Sequence, residues 1–280
     1  MARAPVRALV RTLVGALVGW AAAFALLACA AGSPARDPFA GATIVDLTHA
    51  FDASTVFWPT EEEGFVLETV FAGRTEGGYW YEANRFRSAE HGGTHLDAPV
   101  HFGEGRHAVD AIPLERLAGP AVRVDVSAAC AADPDHAVTV AELRAFEATH
   151  GRIPDGAIVL VHTGWSRHWP DRARYLGSDR RGPEAADALR FPGLSAEAAR
   201  WLAGERRVAA VGIDTASLDP GASRSFAAHR ELAAAEVPGL ENLTGLDRLP
   251  PRGFSLVALP MKIRGGSGAP LRAIAVLPPR

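Results

Sequence analysis

The chain has 280 residues, 48% of them hydrophobic, which is enough for one large folded domain or two small ones. Its formal net charge is −3 and no basic cluster follows the N-terminal arginines, so no nucleic-acid partner is expected. With two cysteines, Cys29 and Cys130, a disulfide framework is excluded.

Arg3, Arg7 and Arg11 form a positive region ahead of an apolar run from Leu13 to Ala28. The run is short for a membrane-spanning helix and ends in small residues, which favours cleavage. Leu26-Leu27-Ala28-Cys29 resembles a bacterial lipobox, with Cys29 as the residue lipidated after cleavage. Ordinary secretory cleavage near Ala28-Cys29-Ala30, giving a periplasmic or secreted protein, is the alternative. Residues 1–28 are thus expected to be a signal peptide. Residues 29–42, rich in Ala, Gly, Ser and Pro, read as a flexible tether, and 43–280 as the folded domain. Either route exports the protein, and lipidation would anchor it to the cell envelope.

Thr43 to Thr48 is a β-like run that opens the domain. Phe65 to Phe86 reads as two or three strands with Gly77-Gly78 as a turn. Trp80 and Tyr81 would face opposite sides of a strand, so one of them could line a pocket. His91 to Phe102 is the densest stretch: His91, His95, Asp97 and His101 fall within eleven residues, beside Gly92, Gly93 and Pro99. Imidazole and carboxylate are ligands for zinc, manganese or iron. Two adjacent glycines disfavour a helix, but a tight, irregular loop can still aim both imidazoles and the Asp97 carboxylate at one point; the alternative is a polar loop whose histidines hydrogen-bond the backbone.

After this stretch, Pro120 to Val126 and Ala157 to Val161 suit buried strands. Thr139-Val140-Ala141-Glu142 has capping-box form and opens a helix with Leu143 and Phe146 on its apolar stripe. Ser195 can cap a helix running to about Arg206, and Val208 to Ile213 returns as a strand. Asp214 and Asp219, in the loop that follows, suit turn-forming roles better than ligation. Ser225 to Glu236 reads as a helix carrying His229, twelve residues before Glu241. Phe254 to Leu259 and Leu271 to Leu277 are two further strands, flanking a Gly-rich stretch without a phosphate-binding pattern. No Gly-x-Ser-x-Gly elbow occurs, and Cys130 has no apparent base beside it.

His91 to Phe102 resembles the HxGTHxDAPxHF signature of the metal-dependent cyclase/hydrolase family, which includes bacterial kynurenine formamidase and isatin hydrolase. Further similarities are Ile44-Val45-Asp46-Leu47-Thr48, Trp58-Pro59, Thr163-Gly164-Trp165 and the loop Asp214 to Pro220, so the resemblance covers residues 43–280. It implies a mixed α/β chain with the swivelling β/β/α fold and a homo-oligomer, dimer or tetramer. It implies that His91, His95 and Asp97 bind zinc or manganese, and that His229 and Glu241 complete a second site, for one or two ions in all. His101 is then the catalytic acid/base, a role that imidazole suits because it titrates near neutrality. Trp58, Trp80, Trp165 and Ser217 are the candidate substrate contacts, with Trp165 also shaping the pocket wall. The expected activity is hydrolysis of a small amide, lactam or lactone, such as an aryl formamide or an isatin-like ring. A metal-dependent lyase or cyclase-type isomerase, or a lipid-anchored binding protein without turnover, is the alternative. Export argues against cytoplasmic tryptophan breakdown, the usual setting of kynurenine formamidase.

Overall fold

The computed structural model describes residues 39–279, and Ala42–Arg280 form one compact unit. The leader, the lipobox and Cys29 lie outside the described residues. Eight strands make the central sheet: β1 (Thr43–Asp46), β4 (His95–Asp97), β5 (Ala118–Asp125), β7 (Ile158–His162), β9 (Ala210–Ile213), β10 (Gly239–Glu241), β11 (Phe254–Pro260) and β12 (Gly268–Leu277). β5, β7, β9 and β10 run parallel, and the remaining neighbours are antiparallel. β12 pairs with β11 along one edge; along the other it pairs with β1 near its end and with β4 near its start. Because β4 also pairs with β10, the sheet closes into a barrel.

The barrel has two apolar sides, as strands covered on both faces must. Its interior is filled by Leu96, Leu160, Leu240, Leu256, Ala273 and Ala275. Outside, Val122, Val159, Val211 and Ile213 pack against α2 (Val140–His150) and α4 (Ala196–Gly204) through Leu143, Phe146, Ala198 and Leu202. The expected capping box of α2 is present: Thr139 Oγ1 accepts from the Glu142 amide, and Glu142 accepts from the Thr139 amide. Ser195 caps α4 through the Ala198 amide. α4 stops at Gly204, short of Arg206, and Arg207 then turns left-handed at φ 45°. A short helix, α1 (Ser127–Ala132), and α5 (Ala227–Ala234) complete the layer, while the short α3 (Arg172–Leu176) packs in a separate cluster with Val56, Trp165 and Phe191. α5 begins later than Ser225 because Phe226 is left-handed, φ 48°. Cys130 is buried in α1, and burial pushes its thiol up to about 12, which leaves no nucleophile there.

β2 (Val66–Arg74) and β3 (Trp80–Arg87) form a separate hairpin, and β6 (Ala137–Val138) pairs with β8 (Gly193–Leu194) as a short parallel bridge. The hairpin corrects one expectation. Strand alternation places one of Trp80 and Tyr81 inward only where a layer lies beneath, and this ribbon has none. Trp80 is 62% exposed and Tyr81 51%, so neither lines the pocket of its own chain. Among the described residues no helix is long and apolar enough to cross a membrane.

Candidate metal centre and pocket

The register of three-residue strand β4 builds the site. Asp97 lies opposite Gly239, Leu96 opposite Leu240, and His95 opposite Glu241. Side chains alternate across a strand, so His95, Asp97 and Glu241 share the outer face while Leu96 and Leu240 enter the barrel. α5 crosses this face and brings His229 to the same point. His229 Nε2 lies 3.1 Å from Asp97 Oδ2 and 3.0 Å from Glu241 Oε1. His91, in the glycine turn before β4, places Nδ1 2.7 Å from Asp97 Oδ1.

Each of these imidazoles is held from its far side. His95 Nδ1 lies 3.0 Å from the Gly93 carbonyl, an acceptor only, so Nδ1 carries the proton. His229 Nδ1 is 2.6 Å from Asp219 Oδ2, and His91 Nε2 is 2.8 Å from Ser267 Oγ. Asp219 does more than shape a turn. Its two oxygens also accept from the amides of Ala228 and His229, which caps α5 where Phe226 offers no side-chain cap.

The His95 arrangement leaves its Nε2 lone pair pointing at acceptors. Asp97 Oδ1 is 3.1 Å away and Glu241 Oε2 3.5 Å, and Nε2 is buried with no hydrogen-bond partner. A lone pair facing two carboxylates out of water requires a cation between them, a proton or a metal ion. In the metal-free protein it is a proton. Burial lowers the His95 pKa, but Asp97 and Glu241 outweigh it and raise it to about 9. His229 is likewise driven up against burial by Asp219, Asp97 and Glu241. Asp97 is held well below the carboxylate range by its three histidines despite burial, whereas Glu241 is raised by burial and by the Asp97 charge. Among the described residues, every ion pair of Asp97 and Glu241 is to a histidine. His95, Asp97 and Glu241 present ligand atoms close enough to share one ion, as do His91, Asp97 and His101.

Pro99–His101 forms a 3-10 turn that folds His101 back over the cluster, with its ring stacked on His91 at 3.8 Å. Burial by the neighbouring rings pushes His101 down to about 4, although its edge stays open to solvent. It is therefore neutral at pH 7.

These groups floor a cavity of about 330 Å³. His91, His95, Asp97, His101, His229 and Glu241 all line it, together with Trp58 and Ser217. Phe57, Phe102 and Phe226 supply an aromatic wall, with Asn242 and Glu61 as polar additions that the sequence did not single out. Trp165 is a correction. It is only 5% exposed, donates its indole N–H to the Tyr175 carbonyl, and packs with Val56 and Trp58 behind the wall. Tryptophan buried this deeply needs a partner for its N–H, and that partner turns it away from the cavity. His107, a further histidine close to the motif in sequence, lies outside the cavity lining and pairs with Glu236.

A family model described as "Putative cyclase" matches residues 45–220. Isatin hydrolase of Roseibium aggregatum is 36% identical over 197 residues, 68% of this chain and 72% of that protein. Kynurenine formamidase of Salinibacter ruber is 32% identical over 236 residues, 82% of this chain and 96% of that one. Among solved structures, isatin hydrolase A from Ralstonia solanacearum matches with TM-score 0.75 and 36% identity, covering 85% of this chain and 93% of its own.

Asp219 should matter in proportion to what it holds. By chemical denaturation of the metal-free protein, Asp219→Ala is expected to cost about 3–5 kcal/mol, the loss typical of breaking a buried pair. Asp219→Asn, which keeps an oxygen for the helix amides, should cost less. Equal losses would show that the charged contact to His229, and not the helix cap, carries the contribution of Asp219.

Proposed function

This chain belongs to the metal-dependent cyclase/hydrolase family, and from that premise we propose that it hydrolyses the amide bond of a small aryl substrate, an aryl formamide or an isatin-like lactam. The observation that carries the reading is the buried, unpartnered Nε2 of His95 facing two carboxylates at the floor of an aromatic pocket. His91, His95 and Asp97 would hold the first cation, zinc or manganese, with Glu241 close enough to His95 and Asp97 to share it, and His229 beside Asp97 and Glu241 would serve a second. A divalent cation there supplies Lewis acidity, which makes water more acidic and polarises a carbonyl. This donor set fits such an ion: imidazoles with one nitrogen anchored, carboxylates without arginine or lysine partners among the described residues, and His95, Asp97, His229 and Glu241 all buried.

The chain's own residues do the rest. His101, neutral and at the edge of the cavity, takes the proton of the attacking water and returns it to the leaving nitrogen. Trp58, Phe102 and Phe226 form a slot for an aryl ring, and a volume of about 330 Å³ admits a small molecule but not a polymer. Ser217 and Asn242 offer polar contacts to its substituents.

Two further readings belong to this proposal. The chain is exported and anchored through a lipid on Cys29, a reading supported by the arginines, apolar run and lipobox of residues 1–29. It forms a homodimer through the hairpin, which is supported by Leu67, Phe71, Tyr79, Trp80, Tyr81 and Phe86, all exposed on β2, β3 and their turn.

Assayed with isatin and N-formyl anilines, His101→Ala should keep its metal and lose about 10²–10⁴-fold in kcat, the usual share of acid–base catalysis. His95→Ala should instead lose metal. A metal-free His101→Ala would make His101 a ligand, and near-normal turnover would remove it from the proton path. For location, the mature protein should partition into detergent, and Cys29→Ser should release or mis-process it. A wild-type protein found soluble, beginning after Ala30, would mean ordinary secretion.

A further inference from the structure

The Gly-rich stretch between β11 and β12 has no role in the chemistry described so far, yet it closes on His91. Ser267 Oγ donates to Glu90 Oε2 at 2.6 Å, and the Ser267 amide donates to the same oxygen at 3.0 Å. A serine hydroxyl has one proton, and here Glu90 takes it. The 2.8 Å contact between Ser267 Oγ and His91 Nε2 must then run the other way, with Nε2–H donating. That fixes the imidazole: Nε2 bears the proton and Nδ1, 2.7 Å from Asp97 Oδ1, presents a lone pair.

The serine is itself anchored. Its carbonyl accepts from the Ala98 amide at 2.8 Å, just past β4, and the next residue, Gly268, is in register with Asp97. The neighbouring Gly266 carbonyl accepts from Val109, and the Gly265 amide donates to Asp110 Oδ1. Glycine on both sides of Ser267 is a matter of space. A Cβ on Gly268 would lie 2.5 Å from His91 Cε1 and 2.6 Å from the Leu96 carbonyl oxygen, and one on Gly266 would lie 2.8 Å from Glu90 Oε1. At Gly268, where the Leu96 carbonyl is backbone and cannot swing aside, the loop therefore lies against His91 at a distance no side chain allows.

We propose that Glu90 and Ser267 are positioning residues, which lock the tautomer and orientation of His91 so that Nδ1 is the nitrogen offered to the cation beside Asp97. The inference rests on the reading of His91 as a ligand. Partners that orient a ligating histidine typically contribute 10–100-fold in metal affinity or activity.

The test titrates Zn²⁺, and separately Mn²⁺, into the metal-depleted full chain against a competing chelator. Ser267→Ala and Glu90→Ala should each weaken binding about 10–100-fold. The metal-free melting temperature should stay near that of wild type, and kcat should recover as metal approaches saturation. Ser267→Thr, which keeps the hydroxyl, should restore affinity toward the wild-type value. The proposal is overturned if both alanine variants bind metal within twofold of wild type. It is also overturned if their loss of affinity is matched by a loss of metal-free stability that Ser267→Thr does not repair, since the loop would then be merely structural. His91→Ala separates the two layers of the argument. If His91→Ala binds metal as well as wild type, the ligand reading itself fails. If it loses metal while Ser267→Ala does not, only the positioning role fails.

Discussion

Negative charge held out of water is the constraint around which this structure is arranged. Asp97, Glu241 and Asp219 are all buried, and Asp97 and Glu241 meet around the same histidines. Removing a carboxylate from water costs several kcal/mol even after relaxation, and a second one nearby adds repulsion. Among the described residues no arginine or lysine offsets Asp97 or Glu241; imidazoles do. Histidine is the side chain that can take either part, carrying a proton when the site is metal-free and giving it up to a metal ion. A cluster built from such groups is balanced only with a cation in it, which is why the same arrangement reads as a metal site and as an unstable core without one.

The barrel supplies the rigidity that this balance needs. β4 has only three residues, but it is paired on both edges, to β10 and to β12, so His95 and Asp97 cannot shift without breaking the closure of the sheet. α5 is held down by Asp219 at its first turn, and the same carboxylate aims His229. His101 sits apart on a 3-10 turn, stacked on His91, with one edge exposed. Ligands are thus fixed by strands and a capped helix, while the proton-transfer group stands where substrate and solvent meet.

Much of this was legible in the chain because it is local. His91 to His101 is one short segment, and its two adjacent glycines argued against a helix joining His91 to His95, where a turn and strand β4 stand. The capping residues Thr139 and Ser195 marked true helix starts, since capping depends on neighbours three residues away. His229 and Glu241 were weaker. Neither residue type at its position is unusual, and only family resemblance joined them to the motif. Glu90 and Ser267 could not be found, because 177 residues separate them and only the pairing of β4 with β12 brings them together. Trp80 and Trp165 were misplaced for opposite reasons. One lies on a ribbon with no layer beneath it, and the other was drawn into the protein by a partner for its indole N–H.

The central claim is that the His95, Asp97 and Glu241 cluster holds a metal ion, and anomalous diffraction tests it most directly. Crystals of the chain, loaded with manganese or zinc, would be measured on both sides of that metal's absorption edge. The account predicts an anomalous peak bonded to His95 Nε2 and to an Asp97 oxygen, at about 2.0–2.2 Å for zinc. A cluster without such a peak, with His95 instead protonated and hydrogen-bonded to Asp97 or Glu241, would contradict it.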